Sequence, residues 1–151
     1  MVIGIFGESC TGKSTLAESL KQRLNARVYT GKDYLRLSKS EAIAKKLFQK
    51  ELEAALKGEH IIYVISEKDQ LPLLPESALR VLVTAELDVI RQRFARRMGG
   101  KLPDPVSAML ERKHGCFDSE AHHIHVRSGR DDTDALCGEI ERRINGGNHG
   151  Q

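Results

Sequence analysis

GESCTGKST, residues 7–15, follows the apolar run VIGIF at residues 2–6, almost at the start of the 151-residue chain. Two glycines, one lysine and four hydroxyl side chains in nine positions make a poor core, so the stretch is built to hold something else. Gly7, Gly12, Lys13 and Ser14 satisfy the pattern GxxxxGK[ST], with a strand-like run before it and a helical stripe after it. Glycine lets the backbone curl until successive amide N–H groups point into one concavity, where a bulky side chain would block an anion. A helix starting at Lys13 adds its positive end. The pattern predicts a phosphate cradle formed by Gly7, Glu8, Ser9, Cys10, Thr11, Gly12, Lys13, Ser14 and Thr15. Lys13 would reach the terminal phosphates of ATP as a mobile point charge, and the Ser14 hydroxyl suits a magnesium ion that keeps most of its own water. Cys10 reads as a spacer in the loop rather than a redox thiol.

Outward from the loop, apolar period alternates between strand-like runs and helical stripes, the pattern of an α/β fold with a parallel sheet wrapped by helices. Strands are expected at residues 2–6, 27–30, 60–66, 80–84 and 121–127. The first helix starts at Lys13, with Leu16, Leu20 and Leu24 on one face. A second starts near Ser40, with Ile43, Leu47, Leu52 and Leu56 turned inward and Gly58 placed to stop it. A third runs from Glu86, burying Leu87, Ile90, Phe94 and Met98 before Gly99 and Gly100. Asp104, followed by Pro105, is expected to cap a fourth. The last starts near Asp132 on Leu136, Ile140 and Ile144, and is expected to fray from Asn145. Pro72 and Pro75 mark residues 71–75 as a loop.

Composition fits one domain over residues 1–151, long enough for a real core. Apolar residues make up 40% and charged residues 30%, an ordinary globular balance. No apolar run approaches the roughly 20 residues of a membrane span, and the first residues lack a basic leader, so a cytoplasmic protein with no membrane partner is expected. Three widely spaced cysteines, Cys10, Cys116 and Cys137, form no CxxC pair and read as reduced thiols. A formal charge of +3 is too small to point to nucleic acid by itself. His122, His123 and His125 lack a further ligand at metal-binding spacing and read as edge-strand residues.

GESCTGKSTLAESL, then VYTGKDYLRL, then IRQRFARR, in that order, resembles the small P-loop kinases, especially the nucleoside monophosphate kinase group of adenylate and cytidylate kinases. The resemblance spans nearly the whole chain, although only the first motif is highly specific. It implies a three-layer P-loop NTPase fold with a five-stranded parallel sheet, the first strand central and the fifth at an edge. It also implies transfer of the ATP gamma-phosphoryl group to a small acceptor, a nucleotide or nucleoside-like metabolite, with magnesium. Carried onto this sequence, Thr30, Asp33 and Arg36 would contact the acceptor, at the start of an acceptor-binding helical segment over about 31–58. Arg36 would clamp an acceptor phosphate, because a guanidinium fork matches phosphate oxygens, and Asp33 would be an active-site carboxylate. The alternative for Asp33 is a plain helix cap. Lys32 is one residue more than the family run carries.

Arg91, Arg93, Arg96, Arg97 and Lys101 crowd one stretch with no acid among them. The resemblance makes residues 91–104 a lid, with Arg93 and Arg97, one turn apart, offsetting the charge of the transferring group. A solvated helix face is the alternative. Residues 127–129 fall where such kinases contact the donor base. After the third strand, where related enzymes commonly carry an aspartate for the metal shell, this chain has Ser66 and Glu67. That departure leaves a second function open: a regulatory module that binds or slowly hydrolyses ATP without a small acceptor.

Overall fold

The computed structural model describes residues 1–55 and 58–149, the side chains of 146–149 excepted. Five strands, β1 (Val2–Phe6), β2 (Arg27–Thr30), β3 (Ile61–Ile65), β4 (Leu79–Thr84) and β5 (Ile124–Arg127), form one parallel sheet in the order β2-β3-β1-β4-β5. β1 is central and β5 is an edge, as the resemblance implied. Register pairs Phe6 with Ile65 on one side and with Leu82 on the other. The loops leaving β1, β3 and β4 therefore emerge together at one end of the sheet. That end, beyond the carboxyl ends of the strands, is where open α/β sheets place their ligands.

Five α-helices clothe the sheet: α1 (Lys13–Leu24), α2 (Glu41–Ala55), α3 (Leu87–Arg97), α4 (Asp104–Lys113) and α5 (Thr133–His149). Side chains of β1 alternate between two cores, as strand period requires. Val2 and Phe6 join a cluster with Phe48, Leu52 and Tyr63 under α2. Ile3 and Ile5 join Leu16 and Leu20 of α1 and Cys137, Ile140 and Ile144 of α5 on the other face. A smaller third cluster, around Ile90 and Leu110, holds α3 against α4 beyond the sheet's ligand-bearing end.

α2 rests on the sheet through a face that keeps the expected Leu52 but has Ala44 and Phe48 where Ile43 and Leu47 were expected. Ala44, Phe48, Leu52 and Ala55 are buried, whereas Ile43 is 52% and Leu47 39% exposed. Leu56 lies outside the described residues. Aromatic packing selects this face: the Phe48 ring lies 4.8 Å from Tyr29, 5.4 Å from Tyr34 and 4.9 Å from Tyr63. Alanines at 44 and 55 let the helix approach closely, and such ring pairs add to the area they bury. In α3 only Ile90 is fully buried; Phe94 is half-buried and Met98 is 45% exposed. This helix packs on α4 rather than on the sheet, so it needs a narrower apolar stripe than expected.

Beyond shifts of one residue at several element ends, four differences stand out. β5 starts at Ile124 because His123 is engaged sideways: its N–H donates to the Arg80 carbonyl at 2.8 Å, and its Nδ1 accepts from the Arg80 N–H at 2.9 Å. Residues Lys68–Leu73 wind into 3-10 turns with Pro72 inside, where a plain loop was expected. Asp104 sits inside the first turn of α4, with Pro103 in the cap position, so its carboxylate does not cap. α5 continues to His149, past the expected fraying point at Asn145. No helix among the described residues is long and apolar enough to cross a membrane.

Candidate functional site

The residues after β1 form a tight loop whose floor is the sheet itself. The Gly7 N–H donates to the Ile65 carbonyl at 3.2 Å, and a Cβ at Gly7 would lie 2.1 Å from the Val83 carbonyl oxygen, so no larger residue fits there. Cys10 (φ 65°) and Gly12 (φ 98°) both take left-handed conformations that curl the chain back on itself. The Thr11 hydroxyl, fully buried, donates to the Glu8 carbonyl at 2.8 Å and closes the curl. α1 then starts at Lys13 with no side-chain cap, so its first-turn amides face the loop's hollow as an uncapped helix end. This cradle fits a polyphosphate: it offers backbone donors, a helix start and Ser14, exposed in the first turn for a magnesium ion.

Lys13 is the charge at its centre. The side chain is only 5% exposed, and its Nζ donates to the Glu8 carbonyl and lies 3.5 Å from the Thr11 hydroxyl. Burial lowers its pKa to about 8, opposed by Cys10 and Glu8 and reinforced by the nearby positive charge of Arg97. A phosphate would reverse that balance by supplying the counter-charge that the lysine lacks.

Two cavities flank the loop, and a third, of about 350 Å³, meets it only at Glu8, beside His114, His125 and Arg130. One, of about 420 Å³, is lined by Cys10, Gly12 and Thr15 of the loop and by Arg93, Arg96 and Arg97 of α3, with Ser128 and Thr133 opposite. Arg93 is half-buried and donates from Nη1 to the Cys10 carbonyl at 3.0 Å, which ties α3 to the cradle. Arg93 and Arg97 thus reach the same space, as their helical spacing predicted, and Ser128 brings the segment after β5 to it.

The second cavity, of about 550 Å³, opens on the other side of the loop at Glu8 and Ser9. Its polar wall is Ser66, Glu67, Lys68 and Asp69, immediately after β3; its apolar wall is Phe94, Met109, Leu110 and Phe117. Glu8 anchors the far end of α4 here. Its carboxylate accepts from the Gly115 N–H at 3.1 Å and lies 3.2 Å from His114 Nδ1.

Thr30, Asp33 and Arg36 are not part of that lining. The Asp33 carboxylate accepts the Thr30 N–H at 2.9 Å, and the Arg36 guanidinium lies 5.2 Å above the Tyr29 ring. Their segment, a 3-10 turn over Asp33–Leu37, follows Gly31, whose added Cβ would lie 3.9 Å from the amide nitrogen of Gln70, the residue after Asp69. Sequence reasoning did not find Asp69, Lys113 or Phe117. Ser66 and Glu67 were the available signal, since two polar residues closing a fully apolar strand mark its functional end. Nothing in the sequence alone joins them to residues 109–117.

Neither a protein-family model nor a curated protein matches the chain. Solved structures do. The YorR protein of Bacillus subtilis, in complex with phosphorylated GDP, is 19% identical with a TM-score of 0.66, over 99% of this chain and 98% of that one. Shikimate kinase from Acinetobacter baumannii, in complex with shikimate, is 14% identical with a TM-score of 0.63, over 97% and 93%. A gluconokinase from Sinorhizobium meliloti is 16% identical with a TM-score of 0.57, over 91% and 87%. This chain has the P-loop kinase fold. At such identities the likeness carries the fold alone, and the chemistry must come from the site.

Proposed function

We propose that the chain is a cytoplasmic, ATP-dependent kinase that transfers the gamma-phosphoryl group to a small molecule. The observation that carries this reading is the pair of cavities that open on the one loop, at Cys10 and Gly12 and at Glu8 and Ser9, with Lys13 buried in that loop. A sensor or slow ATPase needs a donor pocket only; a second pocket opening onto the same loop is what a transferase requires. The arginine-lined cavity takes the donor nucleotide, with its base towards Ser128. Lys13 stabilises the terminal phosphates, and Arg93 and Arg97 offset charge as it spreads over the transferring group. Magnesium would be held at Ser14 and would neutralise the phosphate oxygens.

Structures of this fold include proteins named for shikimate and gluconate and one bound to a phosphorylated nucleotide. Their variety supports a small acceptor, and the nucleotide or nucleoside-like acceptor implied by the sequence stays within this proposal. Thr30, Asp33 and Arg36 then belong to the acceptor side, behind the wall of the larger cavity. An acceptor phosphate needs Arg36 to clamp it and no base, whereas an alcohol needs a carboxylate to take its proton. The test is ADP release from ATP and magnesium across nucleoside monophosphates, nucleosides, shikimate and gluconate, with Lys13→Ala as control. Acceptor-dependent release that Lys13→Ala abolishes is expected. Tight ATP binding with no acceptor dependence would mean a regulatory module instead. An unchanged rate in Asp33→Asn on an alcohol would remove Asp33 from the base role.

A further inference from the structure

The larger cavity differs from the donor side in one chemical respect: no arginine lines it. Recognition of a phosphate monoester or carboxylate favours guanidinium forks, which match two oxygens at once. Three arginines of α3 face the other cavity, and Arg36 lies over Tyr29. Of the two lysines in the larger cavity, Lys68 is paired with Glu120 at 3.3 Å, which leaves Lys113. Against these stand three carboxylates, Glu8, Glu67 and Asp69. Glu8 is occupied by Gly115 and His114, whereas Glu67 and Asp69 are both exposed. An acceptor anion would meet like charge here. The opposite wall, Phe94, Met109, Leu110 and Phe117, offers a broad apolar and aromatic surface.

Resting on the kinase reading above, we propose that the acceptor is a neutral or amine-bearing alcohol with an apolar or aromatic body, and not a phosphate monoester or carboxylate. The apolar wall holds the body, and Glu67 and Asp69 address its hydroxyl and any ammonium group. In the reaction the acceptor hydroxyl oxygen bonds to the gamma phosphorus as the bond from that phosphorus to the beta-gamma bridging oxygen breaks. ADP leaves with the electron pair. The hydroxyl proton passes to a carboxylate of the Glu67 and Asp69 pair and from there to water.

The experiment compares matched acceptors that differ by one anionic group: nucleosides against their monophosphates, and aryl diols or amino alcohols against the corresponding hydroxy acids. Wild type and the double variant Glu67→Gln, Asp69→Asn are assayed for ADP release, and thermal melting checks that the variant is folded. The neutral or amine-bearing member of a pair is expected to show at least tenfold higher kcat/KM. The double variant is expected to lose most of its turnover and to narrow the preference in KM, because the repelling charge has gone. Equal or better turnover of the anionic members overturns the acceptor class and leaves the kinase reading standing. No ADP release from any member, with ATP still bound in calorimetry, overturns the kinase reading and this proposal with it.

Discussion

The two sides of the phosphate loop are built from the same helix used in opposite ways. α3 turns Arg93, Arg96 and Arg97 towards the cavity at Cys10 and Gly12, and turns Phe94 towards the cavity at Glu8 and Ser9. One side is lined by three arginines, a concentration of fixed positive charge. The other is an amphipathic pocket, apolar on one wall and acidic on the other. On the proposed reading, the difference teaches that a shared scaffold would fix the donor while a few side chains on α4 and after β3 would choose the acceptor.

The largest effect is expected at the boundary between the two sides. Lys13→Ala removes the buried cation of the loop, and kcat should fall by about 10² to 10³ fold, the usual loss for a preorganised electrostatic donor. Steady-state ADP release measures it, and calorimetry separates lost transfer from lost ATP binding. A rate within a few fold of wild type would mean that the cradle does not serve transfer at all.

The next test asks whether the sides are separable. Arg97→Ala should lower kcat by roughly ten to a hundredfold, less than Lys13→Ala because Arg97 is exposed at the end of α3. It should weaken ATP binding while the acceptor KM stays put. Lys113→Ala should do the reverse, moving the acceptor KM and leaving ATP affinity alone. If both substitutions move both constants equally, the two cavities act as one site and the comparison fails.

Gly7→Ala probes the floor common to both. With the Val83 carbonyl oxygen 2.1 Å from the new Cβ, backbone must move, and overpacking of this kind destabilises by about 1–3 kcal/mol. Denaturant unfolding reads the loss directly. A neutral result would show that β1 and β4 can spread at the loop, and the rigid division between the cavities would go with it.

How legible each side was in the sequence follows from the same physics. The donor side rests on a local rule: nine consecutive residues, a strand before and a helix after, with Arg93 and Arg97 one turn apart on the next informative helix. The central place of β1 and the edge place of β5 also came through, as what the resemblance implied. The acceptor side is non-local. Glu67 and Asp69 meet Met109, Leu110 and Phe117 only because α4 folds back over the loop, and that return is fixed by Glu8 holding Gly115 and by the cluster around Ile90 and Leu110. Ile43 and Leu47 misled for a related reason. On periodicity alone they are as good as Ala44 and Phe48, and only the aromatic partners on β2 and β3 decide between the two faces.

The smallest effect, and the most specific to the donor side, is a proton. Because burial holds Lys13 at about 8, the free protein carries a neutral lysine above that pH, and polyphosphate binding must recharge it. ATP binding at pH 8 to 9 should take up a fraction of a proton, seen in calorimetry as a heat that varies with buffer ionisation enthalpy, and affinity should fall as pH rises through this range. Stability of the free fold should move the other way. The folded pKa lies below the unfolded value near 10.5, so the cost of burying the charge is present in full below about pH 8 and is relieved as pH rises from 8 towards 10.5. Lys13→Met should abolish both slopes while leaving acceptor binding unchanged. If the affinity slope survives in that variant, the titrating group belongs to the arginine-lined cavity's other partners and Lys13 is not the charge that the donor answers.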